Sequence, residues 1–262
     1  MKRYAQLFLI QLKAAALLSL QYRVDFVVQT VMALFWTATA LLPLYVLFSM
    51  RTGVAGWSAY EALMVAGFFI ALKGVLQGAI QPSLTSVVEH IRKGTLDFLL
   101  LKPADAQFLL STTKLDLAHG ADVLAGLGIV GWALSRTGHT ATPWAFALAL
   151  LLLVCAVAIL YAIWILVVSL AFKVVKIDNL SYLIVSTFDA ARWPSSVFRG
   201  ALSVVFTFVI PLALMTTYPA LALLGRLTGG QVATSLLVTA LFLAASRAVW
   251  LRSVRSYTGA GG

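Results

Sequence analysis

Charge is what this sequence has least of. Only 11% of its 262 residues are Asp, Glu, Lys or Arg, while 61% are apolar; soluble domains carry about 25% charge. A soluble fold of this length needs far more polar surface, so the composition points to an integral membrane protein. Its single cysteine, Cys155, allows no intrachain disulfide and gives no sign of an oxidising compartment. The three histidines, His90, His119 and His139, stand far apart, so no metal-ligand spacing arises. Neither a G-x-S-x-G elbow nor an H-E-x-x-H pair occurs. None of the eight lysines follows a glycine or precedes Ser or Thr, so the phosphate-binding loop of nucleotide hydrolases is missing. Of the nine acids only Asp122 sits well inside an apolar run. Ion-coupled carriers commonly bury several such groups along the path, so transport here would draw its energy from elsewhere.

What is present is apolar and aromatic. The 15 Phe, 8 Tyr and 7 Trp exclude low-complexity disorder. A membrane-crossing helix needs about 20 mostly apolar residues, and six candidate spans meet that length: 24–48, 60–80, 115–134, 144–172, one starting near Val197, and 231–250. Trp57, Tyr60, Trp132, Trp144 and Trp250 stand near span ends, as interfacial aromatics do. No cleavable signal is expected, because Gln6, Gln11 and Lys13 interrupt the first apolar stretch.

The net charge of +10 follows the same topology. Fifteen Lys and Arg fall in the N-terminal segment, the connections after spans two and four, and the C-terminus; only Arg51, Arg136 and Arg226 fall in the alternate connections. That asymmetry predicts both termini in the cytoplasm and accounts for the basic balance without nucleic acid. The connections on the other side are short, about 49–59, 135–143 and 225–230, which leaves no external domain to capture a substrate.

Three further segments carry amphipathic or broken patterns. Residues 1–23 place Tyr4, Leu7, Phe8, Leu12, Ala15 and Leu18 near one helical face, which reads as a helix in the cytoplasmic interface or as the extended start of span one. In 173–196, Leu180, Leu183, Ile184 and Phe188 at helical spacing after Asp178 read as a short cytoplasmic amphipathic helix ending at Trp193-Pro194. The run 197–224 is too long for one straight crossing and contains Pro211 and Pro219. We expect a span to about Pro211 and then a re-entrant outer segment; the alternative is one proline-kinked helix.

Inside the spans, Lys73 and Asp122 each lie about 12 Å from the cytoplasmic end at the helical rise of about 1.5 Å per residue. Antiparallel neighbours would bring them to one level, where an ion pair would relieve the cost of a charge in lipid. The alternative is a snorkelling Lys73 and a hydrated or protonated Asp122. Gly74 and Gly78 form a G-x-x-x-G that permits close helix approach within one subunit or between two.

The connection between spans two and three, residues 82–114, is the most unusual. Around Glu89, Arg92, Lys93, Gly94, Thr95 and Asp97 it carries Ile91, Leu96, Phe98, Leu99 and Leu100, too apolar for a solvated loop. It reads either as a helix on headgroups or as a docking element for a cytoplasmic partner. The run Arg92-Lys-Gly-Thr-Leu-Asp-Phe-Leu-Leu-Leu-Lys-Pro103 resembles the intracellular element of ABC-2 type exporter permeases, in the half-size branch of about 260 residues. Gln21-Tyr-Arg-Val-Asp-Phe26, Phe208-Val-Ile-Pro-Leu-Ala213, Tyr218-Pro219, Leu224-Gly225 and Trp250 to Tyr257 extend the resemblance, in order, along nearly the whole chain.

The resemblance implies an all-α permease domain over 1–262, with six transmembrane helices in a bacterial inner membrane. It implies a second permease, in a homodimer or more readily a heterodimer, and ATP-binding cassette ATPases beneath, which would hold the ATP and magnesium that this chain does not bind. The coupling element would be Glu89 to Leu99. Gln29, Thr30, Thr37, Thr39 and Thr207 would be candidates for the seam between permeases, unless they make ordinary helix–helix hydrogen bonds. The alternative from another class is a secondary transporter or channel subunit, which buried ionisable networks or an internal repeat would favour.

Overall fold

The computed structural model describes residues 2–51, 53–172, 185–198, 200, 206 and 211–257. Among them the fold is all helical, with no strand in any sheet. Helix α1 is Lys2–Gln21, α2 is Arg23–Met50 and α3 is Ala59–Arg92. Two short helices follow, α4 at Asp97–Leu100 and α5 at Ala106–Ser111. Then come α6 (Gly120–Arg136), α7 (Pro143–Leu170), α8 (Ala213–Leu223) and α9 (Gly229–Arg255). Five of these, α2, α3, α6 together with the turn before it (Leu117–Arg136), α7 and α9, are long and apolar enough to cross a membrane; α8 is a shorter apolar helix. The chain is an all-α integral membrane protein.

The ends of the long helices are written locally. Ser58 accepts from the Glu61 N–H at 3.4 Å while its own N–H donates to Glu61 Oε2 at 2.8 Å, and Thr228 and Gln231 repeat the arrangement before α9. Such capping boxes satisfy backbone donors that a helix start leaves open. Thr142 caps α7, and Pro143 occupies the first position, where a missing N–H costs nothing.

Helix α3 runs 34 residues, about 51 Å at the standard rise, well beyond a hydrocarbon core of about 30 Å. It therefore carries the second span and the following connection as one rod. A widened turn at Leu76–Ile80 interrupts it. Its cause is Pro82, which has no N–H to give the carbonyl of Gly78; that carbonyl instead accepts the Asp116 N–H at 2.7 Å. A second widened turn, Ala213–Thr217, precedes Pro219 in the same way.

Glycines set how closely α3 and α6 pack. A Cβ on Gly126 would lie 2.5 Å from Ala71 N and 2.6 Å from Gly67 O, and one on Gly74 would lie 2.8 Å from Val123 N. The G-x-x-x-G of Gly74 and Gly78 thus faces α6 and the turn before it, inside one subunit. Two apolar clusters fill the bundle. One, around Trp57, Met64, Leu152 and Leu223, lies towards the 51–58 turn; the other, around Leu84, Leu96, Trp164 and Trp250, lies towards the opposite end.

Two regions are arranged differently from the sequence expectation. Residues 173–184, with the Asp178 cap, lie outside the described residues. The rest of the supposed cytoplasmic segment does not stay at the end that carries α4 and α5. Phe188 packs on Phe69 within α3, the Ser195 N–H donates to Thr217, and Ser196 Oγ accepts from Trp57 Nε1 at 3.0 Å and donates to Ala55 O at 3.2 Å. Residues 185–198 therefore rise through the bundle to the Trp57 end. Ala190 and Ala191 pack on the Leu84 and Trp250 cluster, Trp193 packs on the Trp57 cluster, and Thr216 donates to the Ala191 carbonyl at 2.9 Å. The fifth expected span, from Val197 to Pro211, falls mostly outside the described residues, as do Thr207 and Phe208 to Ile210. Helix α8, 11 residues from Ala213 to Leu223, is about 17 Å long and too short to cross.

The second concerns Lys73. Its Nζ lies 3.9 Å from Asp189, and its expected partner Asp122 is engaged elsewhere. Asp122 Oδ1 accepts from Thr37 at 2.7 Å and its Oδ2 pairs with His119 Nδ1 at 2.9 Å. Lys73 and Asp122 share the wall of one cavity, but the rise of residues 185–198 brings Lys73 a second carboxylate.

Candidate coupling segment and intramembrane polar groups

The connection after α3 is built as a rigid hairpin of short helices. Gly94, at φ +65°, stops α3 in a conformation that other residues rarely adopt. The Lys93 and Thr95 N–H groups donate to the carbonyls of Glu89 and His90 at 2.9 and 3.0 Å, and His90 Nδ1 meets Thr95 Oγ1 at 2.8 Å. The chain is turned so that Leu96 is wholly buried in the Leu84 and Trp250 cluster. Leu99 and Leu100 pack partly against the same cluster, and Glu89 stands 3.9 Å from Lys114. At the apex, Phe98 and Leu101 are 72% and 82% exposed, flanked by exposed Arg92, Lys93 and Lys102.

Of the apolar residues grouped together from sequence, then, Leu96 is an internal anchor. Phe98 remains an outward group, and Leu101 joins it. A leucine at 96 and one at 101 look alike in a sequence; the Gly94 turn decides which faces inward.

The far side of the hairpin is bolted to three other helices. Asp105 caps α5 by accepting the Phe108 N–H at 3.0 Å, and its Oδ2 takes Arg247 Nη2 of α9 at 2.6 Å. Arg247 Nη1 donates to Gln107 Oε1 at 2.6 Å, and Gln107 Nε2 donates to Tyr161 of α7 at 3.0 Å. From α1, Arg3 donates to Pro103 O at 2.6 Å and Tyr4 stacks edge-on against Phe108. The Arg247 guanidinium holds the Asp105 carboxyl below its usual range, because a charge-assisted hydrogen bond favours the ionised form. Sequence reasoning missed this network; Asp105 and Arg247 stand 142 positions apart with no local signal joining them.

Of the polar seam candidates, Thr30 and Thr39 donate to carbonyls one turn back, and Gln29 donates to Asp25 at 2.7 Å. Those are ordinary helical bonds. Among the described candidates, only Thr37 reaches across, to Asp122. Pro211 is buried at the foot of α8 and Pro219 lies within it. No cluster of metal-ligating residues occurs among the described residues.

No curated protein and no solved structure matches this chain. Residues 34–261 match the family model described as ABC-2 family transporter protein, which takes in part of α2, the hairpin and the long apolar helices α3, α6, α7 and α9; the chain belongs to that family and is a permease of an ABC-type transporter.

Proposed function

We propose that this permease is an exporter subunit that pairs with a second permease and is driven by separate ATP-binding cassette ATPases docked at the α4 hairpin. The observation that carries the reading is the apex: two large apolar side chains, Phe98 and Leu101, held outward among cations by a hairpin whose other residues are tied down. A rigid apolar anchor ringed by charge suits insertion into a protein groove. Nucleotide and magnesium belong to the partner, since this chain has no phosphate-binding loop. Movement of the ATPases would reach α3 directly and α7 and α9 through Gln107, Tyr161, Asp105 and Arg247. The family assignment favours this over a secondary transporter or channel.

Purified alone, the chain is expected to hydrolyse no ATP, and turnover is expected only when the ATPase co-purifies. Hydrolysis by partner-free protein would end the reading. The same reading puts both termini and the hairpin in the cytoplasm of a bacterial inner membrane. In a Cys155→Ser background, cysteines at Gly53 and Thr140 should react with an impermeant maleimide on intact cells, and one at Lys93 should react only after lysis. External labelling at 93 would reverse the orientation.

A further inference from the structure

Helix α3 carries a polar row that neither the core nor the hairpin accounts for. Lys73, Gln77, Gln81, Thr85 and Glu89 recur every four residues. In an ideal helix such a row drifts about 40° per step; the widened turn at Leu76–Ile80 counters the drift. Two adjoining cavities confirm that the row is one furrow. Gln77, Gln81, Thr85 and Glu89 line a cavity of about 440 Å³ with Lys114. Lys73 and Gln77 line the next, of about 260 Å³, with Asp122. Gln77 and His119 belong to both. The furrow thus runs from the hairpin end of α3 to the depth of Lys73.

Apart from Glu89 at the mouth, which Lys114 meets at 3.9 Å, its spare capacity is in donors. Gln77 and Gln81 make no side-chain hydrogen bond among the described residues. Lys73 and Lys114 each meet a carboxylate only at 3.9 Å, longer than a hydrogen bond of about 2.7–3.2 Å. Asp122, the acceptor at the inner end, is already taken by Thr37 and His119. Lys73 and Gln77, at membrane depth, have no partner within hydrogen-bond distance among the described residues, which is costly there, so the furrow is suited to an acceptor-rich occupant. Beside its inner end, Met32 and Trp36 of α2 are 53% and 62% exposed, an apolar flank for acyl chains.

We propose that the furrow takes the phosphate headgroup of a membrane amphiphile, admitted between Glu89 and Lys114 and drawn to Lys73, while its acyl chains remain in lipid against α2. It names a substrate class for the permease reading and rests on that reading for its transport role, though not for binding. Phosphate oxygens would accept from the two amides and the two ammonium groups, which pair with phosphate as point charges.

The test is native mass spectrometry of the purified chain titrated with dioleoyl phosphatidylglycerol, with dioleoylglycerol, and with glycerol 3-phosphate as a soluble competitor. Phosphatidylglycerol should bind at least fivefold more tightly than dioleoylglycerol. Gln81→Glu should weaken it roughly fivefold and Gln81→Lys tighten it by a similar factor, as one charge near a lipid phosphate does. Lys2→Glu, outside the furrow, should change nothing. Equal binding of the two lipids, indifference to both Gln81 variants, or equal loss with Lys2→Glu would overturn the furrow. Full displacement by glycerol 3-phosphate would also overturn it, in favour of a site for free phosphate. Because Gln81→Lys is expected to gain, misfolding cannot imitate the result. ATPase co-purification is measured on the same samples, so loss of the furrow and loss of the permease reading register separately.

Discussion

Phe98→Ala combined with Leu101→Ala is expected to lower the affinity for the partner ATPase on the order of a hundredfold, with the permease still folded and inserted. Both side chains are exposed at the hairpin apex and support nothing within the chain. Central apolar anchors often contribute about 2 kcal/mol each to an interface, and a combined loss of about 3 kcal/mol is a factor of roughly a hundred. Arg92→Ala should do less, since rim charges chiefly steer association. Leu96→Ala makes the informative contrast. That side chain is fully buried, so its truncation should cost about 2–5 kcal/mol of stability and reduce recovery of the permease itself. Co-purification at matched membrane expression separates the two effects. Undiminished ATPase recovery with the double variant would place docking elsewhere and leave the apex to lipid headgroups.

Gly126→Val is expected to be the most damaging small substitution in the spans. The new Cβ would sit 2.5 Å from Ala71 N and 2.6 Å from Gly67 O, and both are backbone atoms of a helix that cannot yield locally. Helices α3 and α6 must then separate, and the Gly74–Val123 and Gly78–Asp116 contacts along the same seam separate with them. Overpacking of this kind costs about 1–3 kcal/mol and occasionally more; across a whole seam we expect the upper part of that range. At about 2–4 °C per kcal/mol, the thermal midpoint in detergent should fall by roughly 6–12 °C. Gly128→Val is the control, because nothing lies within 4 Å of its would-be Cβ. Equal midpoints for the two variants would mean that the seam is not what holds α3 against α6.

Much of this fold was legible residue by residue. The expected spans 24–48 and 144–172 became Arg23–Met50 and Pro143–Leu170, and 231–250 became the middle of Gly229–Arg255. Long apolar runs have few alternatives in a membrane, where every backbone group must bond within its own segment. In the capping boxes at Ser58 and Thr228 and in the Thr142-Pro143 start the partners of each cap lie three residues apart, so local sequence can state them. The hairpin was also visible as a stretch too apolar for its charge. What could not be read was its facing: Leu96 goes inward and Phe98 outward because of one left-handed turn at Gly94.

Composition and order along the chain determined that this protein is a membrane-embedded helical permease, where most of its helices lie, and that its sequence has no Gly-Lys-Ser/Thr phosphate-binding motif. These follow from hydropathy, caps and motifs, which act over a few residues to a single helix. Only the tertiary structure decided which charges meet. It gave Lys73 to Asp189 rather than Asp122, carried residues 185–198 to the Trp57 end, turned Gly74 and Gly78 towards α6, and joined Asp105 to Arg247. Each of those outcomes depends on how distant helices rotate and approach. That is set by shape complementarity and by partners far away in the chain, which no local pattern encodes.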